Sequence, residues 1–191
     1  MRKGRLEAFS DGVLAIIITI MVLELAPPHE ADLSALQPLI PKFLSYILSF
    51  IFLGIYWNNH HHLWQVVERV NGSILWANLH LLFWLSLVPF VTGWMGENHF
   101  AKVPVAMYGA VLWSSAVAYF IMVRALMARH DETSVLVIAL GDGTKERISL
   151  LIYTAAIPLA FVASWISMTL YVIVAIMWLI PDRRIERTLN G

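Results

Sequence analysis

Arg5-Leu-Glu-Ala-Phe9-Ser10-Asp11 runs directly into Gly12-Val-Leu-Ala-Ile16-Ile-Ile-Thr19-Ile-Met-Val-Leu23-Glu24. Charges and an aliphatic run share one segment. From Gly12 to Leu23 the only polar side chain is that of Thr19. At about 100° per residue, Ile16, Thr19 and Leu23 fall on one helical face, because i, i+3 and i+7 nearly superpose. Arg5 and Phe9 cluster near the N-terminal end of the segment, with Asp11 beside them. Ser10 or Asp11 can also accept hydrogen bonds from free N–H groups if a helix starts or breaks there. The segment carries acids and lacks a small-residue cleavage site, so it reads as a retained helix and not a cleaved signal peptide.

The rest of the chain extends this reading. The 191 residues are 59% hydrophobic and 14% charged, and ordinary soluble domains carry roughly 25% charge. No Asp, Glu, Lys or Arg lies between Lys42 and Glu68, Arg69 and Glu97, Lys102 and Arg124, or Arg147 and Asp182. Each stretch is long enough for a membrane span of about 20 residues, and the last has room for two short ones. The expected fold is an all-α, polytopic membrane protein. A β-barrel would show short alternating segments instead of continuous apolar runs. The absence of cysteine excludes disulfide and thiolate chemistry.

Punctuation by proline, glycine and charge divides the chain into one unit, 1–191, of six helices at about 5–26, 42–67, 73–94, 105–127, 146–162 and 165–180. Pro27-Pro28 stops the first, and Pro89 and Pro158 are expected kinks. A polar segment over 29–41 leaves room for a short interfacial helix. The turn near Ala163-Ser164 is open to a second reading, a single long kinked span. Six spans put Arg2, Lys3, Arg5, Arg69, Arg124, Arg129, Lys145, Arg147, Arg183, Arg184 and Arg187 on one side, against Lys42 and Lys102 on the other. That bias puts both termini in the cytoplasm. Five spans would turn the C-terminal arginines outward.

The motif Arg5-x-x-x-Phe9-Ser10-Asp11 resembles the signature of the transmembrane protein 175 family of potassium channels of bacterial and endolysosomal membranes. The cluster Trp57-Asn58-Asn59-His60 and the pattern Asn78…Pro89-Phe90 resemble that family more weakly, and the second half of the chain matches it only in helix count. The resemblance implies a six-helix subunit in a homotetramer whose first helices line the pore. It makes Ile16, five positions after the motif aspartate, the constriction. Thr19 would face the permeating potassium ion and Leu23 would form a further aliphatic ring. Four-fold rings of this kind make a narrow apolar pore able to gate by dewetting. The implied setting is a prokaryotic inner membrane. The implied partners are further copies of the chain, the lipid bilayer and potassium ions, with no cofactor, no metal and no nucleic acid.

Each residue also has a plainer reading. Ile16, Thr19 and Leu23 suit a lipid- or bundle-facing stripe whose threonine bonds back to its own helix. Arg5, Ser10 and Asp11 suit an interfacial charge cluster, or else a buried network bracing the first helix. Candidate partners for such a network, with Phe9 beside them, are Trp57, Asn59, His60 and His61 on the second helix and Asn78 and His80 on the third, since polar groups at membrane depth bond across helices. Of the consecutive histidines, His60 and His61 are the better candidates to face inward. Consecutive helical histidines diverge by about 100°, so residues 60–62 cannot converge on one ion. Glu24 is about 140° from Thr19 around the helix, off the stripe. No HExxH or paired-carboxylate pattern supports membrane hydrolase chemistry, so no enzyme activity is expected. No span repeats arginine every third residue, so steep voltage gating is not expected. A small-cation or proton secondary transporter is the alternative, although the inverted repeats that would mark one are missing. A sensor or scaffold without transport is a third class.

Overall fold

The computed structural model describes residues 3–67, 70–128 and 143–179. Helix α1 spans Lys3–Leu23. It ends three residues before the expected boundary, for a local reason. Pro27 has no N–H for the Leu23 carbonyl, and the residue before a proline avoids the helical region. The chain tightens instead, with Leu25 N–H donating to Val22 O at 3.1 Å. A 3-10 helix, Leu33–Leu39, leads into α2, Ile40–Val66, which accepts Pro41 in its first turn, where its missing N–H is not needed.

Asn71 caps the next helix, its Oδ1 accepting from Ile74 N at 3.0 Å and from the Ser73 hydroxyl at 2.7 Å. The kink expected at Pro89 is a full break. Helix α3 is Gly72–Ser86 and α4 is Val88–Glu97, joined through Leu87. Leu87 N–H turns back to Trp84 O at 3.2 Å, a tighter bond than the α-helical one. After α4, His99 and Phe100 take left-handed conformations, with φ of 50° and 58°. Helix α5 follows as Lys102–Met127, then α6, Thr144–Val162, and α7, Ser164–Leu179. Ala163 is extended at φ −151° and ψ 111° and separates these two helices, which excludes the single kinked span. Among the described residues there is no strand. The expected features at Arg2, Glu68, Arg69, residues 129–142, Ile180 and the basic C-terminal residues lie outside the described residues.

Helices Lys3–Leu23, Lys102–Met127 and the runs Leu33–Gln65 and Gly72–Glu97 are each long and apolar enough to cross a membrane. Helices α6 and α7 fall short of that standard on their own. The first turns of α6 carry Lys145, Glu146 and Arg147, and the 16 residues of α7 rise only about 24 Å. The outer surface is apolar, with Trp76, Leu151, Val162 and Trp165 each more than two-thirds exposed. Such a surface suits acyl chains and would aggregate in water.

Helix α5 lies at the centre, packed against α3, α4, α6 and α7, while α1 rests on α2, α3 and α4. Close approach needs glycine at two crossings. A Cβ at Gly109 would collide with the Tyr171 phenol, and one at Gly96 would sit 2.9 Å from Lys42 Cα. Buried hydroxyls are paired across helices: Ser49 Oγ lies 2.7 Å from Thr92 Oγ1 and 3.0 Å from the Tyr108 hydroxyl. An unpaired polar group has no water to turn to at this depth.

Candidate functional site

Helix α1 has two unlike faces. Leu6, Ser10, Leu14, Ile17 and Met21 are buried against the bundle. Arg5, Phe9, Gly12, Ile16, Thr19 and Leu23 are exposed and recur at three or four residues, which stacks them in a single stripe. Ile16 is 60% exposed and Leu23 75%. Among the described residues no side chain buries either, so the face predicted from spacing lies on the exposed side of α1. The Thr19 hydroxyl donates to Ala15 O at 2.8 Å. That bond uses its only proton and leaves its lone pairs directed away from the helix backbone.

The buried face is held by polar contacts in an antiparallel register with α2. Lys3 Nζ donates to the terminal α2 carbonyls of Trp64 at 3.0 Å and Gln65 at 3.3 Å. A cation there is favoured by the unpaired carbonyls of a helix end. Glu7 Oε1 lies 3.3 Å from His61 Nδ1. Asp11 Oδ1 accepts from Trp57 Nε1 at 3.1 Å. Glu7 and Asp11 are four residues apart on α1, as are Trp57 and His61 on α2, so two helical turns meet two helical turns. The His61 ring also stacks on Trp57, with 6.0 Å between ring centroids.

A second, deeper set joins three helices. The Ser10 hydroxyl donates to Leu6 O at 2.9 Å and accepts from Asn78 Nδ2 at 2.9 Å. Asn78 Oδ1 lies 2.8 Å from His60 Nε2, and Trp64 Nε1 donates to that same nitrogen at 2.7 Å. One ring nitrogen cannot both donate to an amide oxygen and accept from an indole. The set therefore has two proton arrangements, with the proton on Nε2 or on Nδ1. His60 Nδ1 has no partner among the described residues.

Of the residues expected in the network, it contains Ser10, Asp11, Trp57, His60, His61 and Asn78, joined by Lys3, Glu7 and Trp64, and it leaves out four. Arg5 and Phe9 are on the exposed stripe, with Phe9 53% exposed. Asn59 donates to Ile55 O at 2.8 Å on its own helix and faces a cleft toward α5 and α6. His80 accepts from Trp84 Nε1 at 2.9 Å on the exposed side of α3. Helical phase explains the last two, because neighbours one or two positions from His60 and Asn78 point about 100° or 200° away. Lys3 and Glu7 were missed, although the matching four-residue spacings of 7/11 and 57/61 were the available signal. Glu24 is exposed and reaches toward Gly93 on α4, off the stripe. Among the described residues no group of three or more metal-ligating side chains converges.

Comparison with known proteins gives a consistent result. Residues 5–89 match the family model described as endosomal/lysosomal potassium channel TMEM175. A potassium channel of Chryseobacterium sp. (strain P1-3) is 57% identical over 190 residues, covering 100% of this chain and 99% of that protein. The endosomal/lysosomal proton channel TMEM175 of Homo sapiens is 28% identical over 54% of this chain and 21% of its own length. A crystal structure of a lysosomal potassium-selective channel TMEM175 homolog from Chamaesiphon minutus superposes with a TM-score of 0.81 at 30% identity, covering 93% of this chain and 96% of that one.

Proposed function

The chain belongs to the TMEM175 family, and on that premise we propose that it is a potassium-preferring cation channel whose ion path is lined by the exposed stripe of α1. The observation that carries the reading is the division of α1. One face is locked by paired polar groups, and the other, from Arg5 to Leu23, is left exposed by the described residues. One helix cannot enclose a pore, so several copies must bring their stripes together. Four copies, forming a homotetramer, is the count in line with the family resemblance.

In this assembly Ile16 makes the constriction, Leu23 a second aliphatic ring, and Thr19 the polar ring between them. A hydrated cation crosses wide vestibules and sheds part of its water at Ile16. The Thr19 oxygen, whose proton is committed to Ala15 O, offers lone pairs in partial replacement. Gly12, one turn before Ile16, keeps the entrance open because it has no side chain. Arg5 and Phe9 lie at that end of the stripe, where neighbouring copies approach. Ser10, Asp11, Trp57, His60, His61 and Asn78 brace the helix from behind. The whole chain, 1–191, acts as one channel domain. Its setting is a prokaryotic inner membrane with both termini cytoplasmic, a topology supported by the basic-residue bias. The mammalian relatives are named proton channels, so proton flux belongs in the test, as does slow saturable flux, the mark of a secondary transporter.

The test is single-channel recording in planar bilayers, with potassium on one side and sodium on the other, for wild type and Ile16→Ala. Discrete currents whose conductance rises and whose ion preference falls in the variant are expected. Currents indifferent to Ile16 would move the path elsewhere, and slow saturable flux without unitary events would replace the channel by a transporter.

A further inference from the structure

We propose that copies of this chain meet through a hydrogen bond between Asn58 on α2 of one copy and His80 on α3 of the next. The ring in which they meet rests on the reading of α1 as the pore helix. The two side chains are features of the single chain.

Exposed hydroxyls within the helices satisfy themselves. Those of Thr19, Ser86, Thr154 and Thr169 each donate to a carbonyl three or four residues back on their own helix. Asn58 is also exposed, and among the described residues its amide has no hydrogen-bond partner. His80 is exposed with one partner, Trp84 Nε1, which donates to its Nε2 at 2.9 Å. An indole nitrogen can only donate, so the His80 ring is neutral and carries its proton on Nδ1. That N–H has no acceptor among the described residues. Asn58 Oδ1 is an acceptor of the kind it lacks.

Depth and direction bring the two together. Helix α2 ends at Val66 and α3 starts at Gly72, and the short link keeps these ends near one level. Asn58 and His80 each lie eight residues from that level, about 12 Å along their helices. The 26-residue run Gly72–Glu97 overhangs a hydrocarbon core of about 30 Å by only about 5 Å at each end. Both side chains are therefore at acyl-chain depth, where polar groups bond across helices. Neighbouring residues of α1 tie it in two directions, Ser10 to Asn78 on α3 and Asp11 to Trp57 on α2, so α2 and α3 flank α1. On α2, Trp57 faces α1, His60 faces α3 and Asn59 faces the cleft toward α5 and α6. Asn58 takes the remaining direction, about 100° from Trp57. When copies close a ring around their α1 stripes, the α2 flank of each meets the α3 flank of the next, a heterologous contact. Gly54, one turn before Asn58 on the same face, has open space where a Cβ would be and admits a close neighbour.

The chain has no cysteine, so introduced thiols report without background. In membranes treated with a short bifunctional maleimide, the double variant Asn58→Cys/His80→Cys should give dimers and larger bands up to the closed ring on denaturing gels. Each single variant should stay monomeric, and the two singles expressed together should give dimers. Leu44→Cys/His80→Cys should stay monomeric, because residue 44 is about 21 Å along α2 from Asn58. A second measurement serves if the cysteine pair fails to assemble. Asn58→Leu and His80→Leu should each weaken association about threefold per contact, and the two together no further. Cross-linking by a single variant, equal cross-linking from Leu44→Cys, or additive losses in the leucine pair would each overturn the contact. So would absent cross-links in channels whose currents still respond to Ile16→Ala, an outcome that leaves the ion path standing. Cross-links at 58 and 80 without such currents would keep the contact and remove the path.

Discussion

The two faces of α1 differ in what specifies them. On the inner face each polar group has a partner within the chain: Ser10 has Asn78, Asp11 has Trp57, and Glu7 has His61. On the outer face Ile16, Thr19 and Leu23 are exposed among the described residues. Changes to the inner face are therefore questions of folding, and on the proposed ion path changes to the outer face are questions of permeation. A helix divided in this way can vary one property while holding the other.

The largest expected effect breaks the inner face. Asn78→Ala cuts the link between Ser10 and His60 at a buried site and leaves each with a single partner, Leu6 O and Trp64 Nε1. It should lower stability by about 2–4 kcal/mol, read as a fall in thermal unfolding temperature and in assembled yield, with the potassium-to-sodium preference of surviving channels unchanged. A changed preference at full stability would join the two faces into one functional unit. Next is Ile16→Ala. It should raise unitary conductance several-fold while moving stability by no more than about 0.5 kcal/mol, as substitutions at uncovered positions do. Thr19→Val keeps the shape and removes the oxygen, so potassium conductance should fall, and Thr19→Ser should restore it in the same recordings. The smallest effect sharpens the boundary. Glu7→Gln should cost no more than about 1 kcal/mol, because its His61 partner is partly exposed and the pair is screened. An effect as large as that of Asn78→Ala would mean that the N-terminal rung, and not the deep set, holds α1 in place.

The helices were largely legible in the sequence because apolar runs and prolines are local signals. Pro27 and Pro89 marked their breaks, and the structure moved the first helix end by only a turn. The stripe was legible for the same reason, since the i, i+3, i+7 spacing of Ile16, Thr19 and Leu23 needs no knowledge of neighbours. The network was only half legible. Ser10, Asn78 and His60 stood out as polar residues in apolar runs. Lys3 and Glu7, which engage the end of α2, did not, because a rung depends on how far α1 slides along α2, and that offset is set by packing. Asn59 and His80 were credited as polar residues in apolar runs, where helical phase turns each away from its neighbour.

The register of α1 against α2 has a mechanical consequence. Lys3, Glu7 and Asp11 engage α2 at three successive turns, ending on its last carbonyls. A spin of α1 about its own axis, which would swap Ile16 for Ile17 along the proposed path, must shear all three attachments at once. A swing of α1 together with α2 spares these three but would break the Ser10–Asn78 and His60–Asn78 bonds to α3 and the Ser49–Thr92 bond to α4. The four helices are therefore tied as one block, and on the proposed path the aperture would widen by movement of whole subunits and not by rotation of α1 within one.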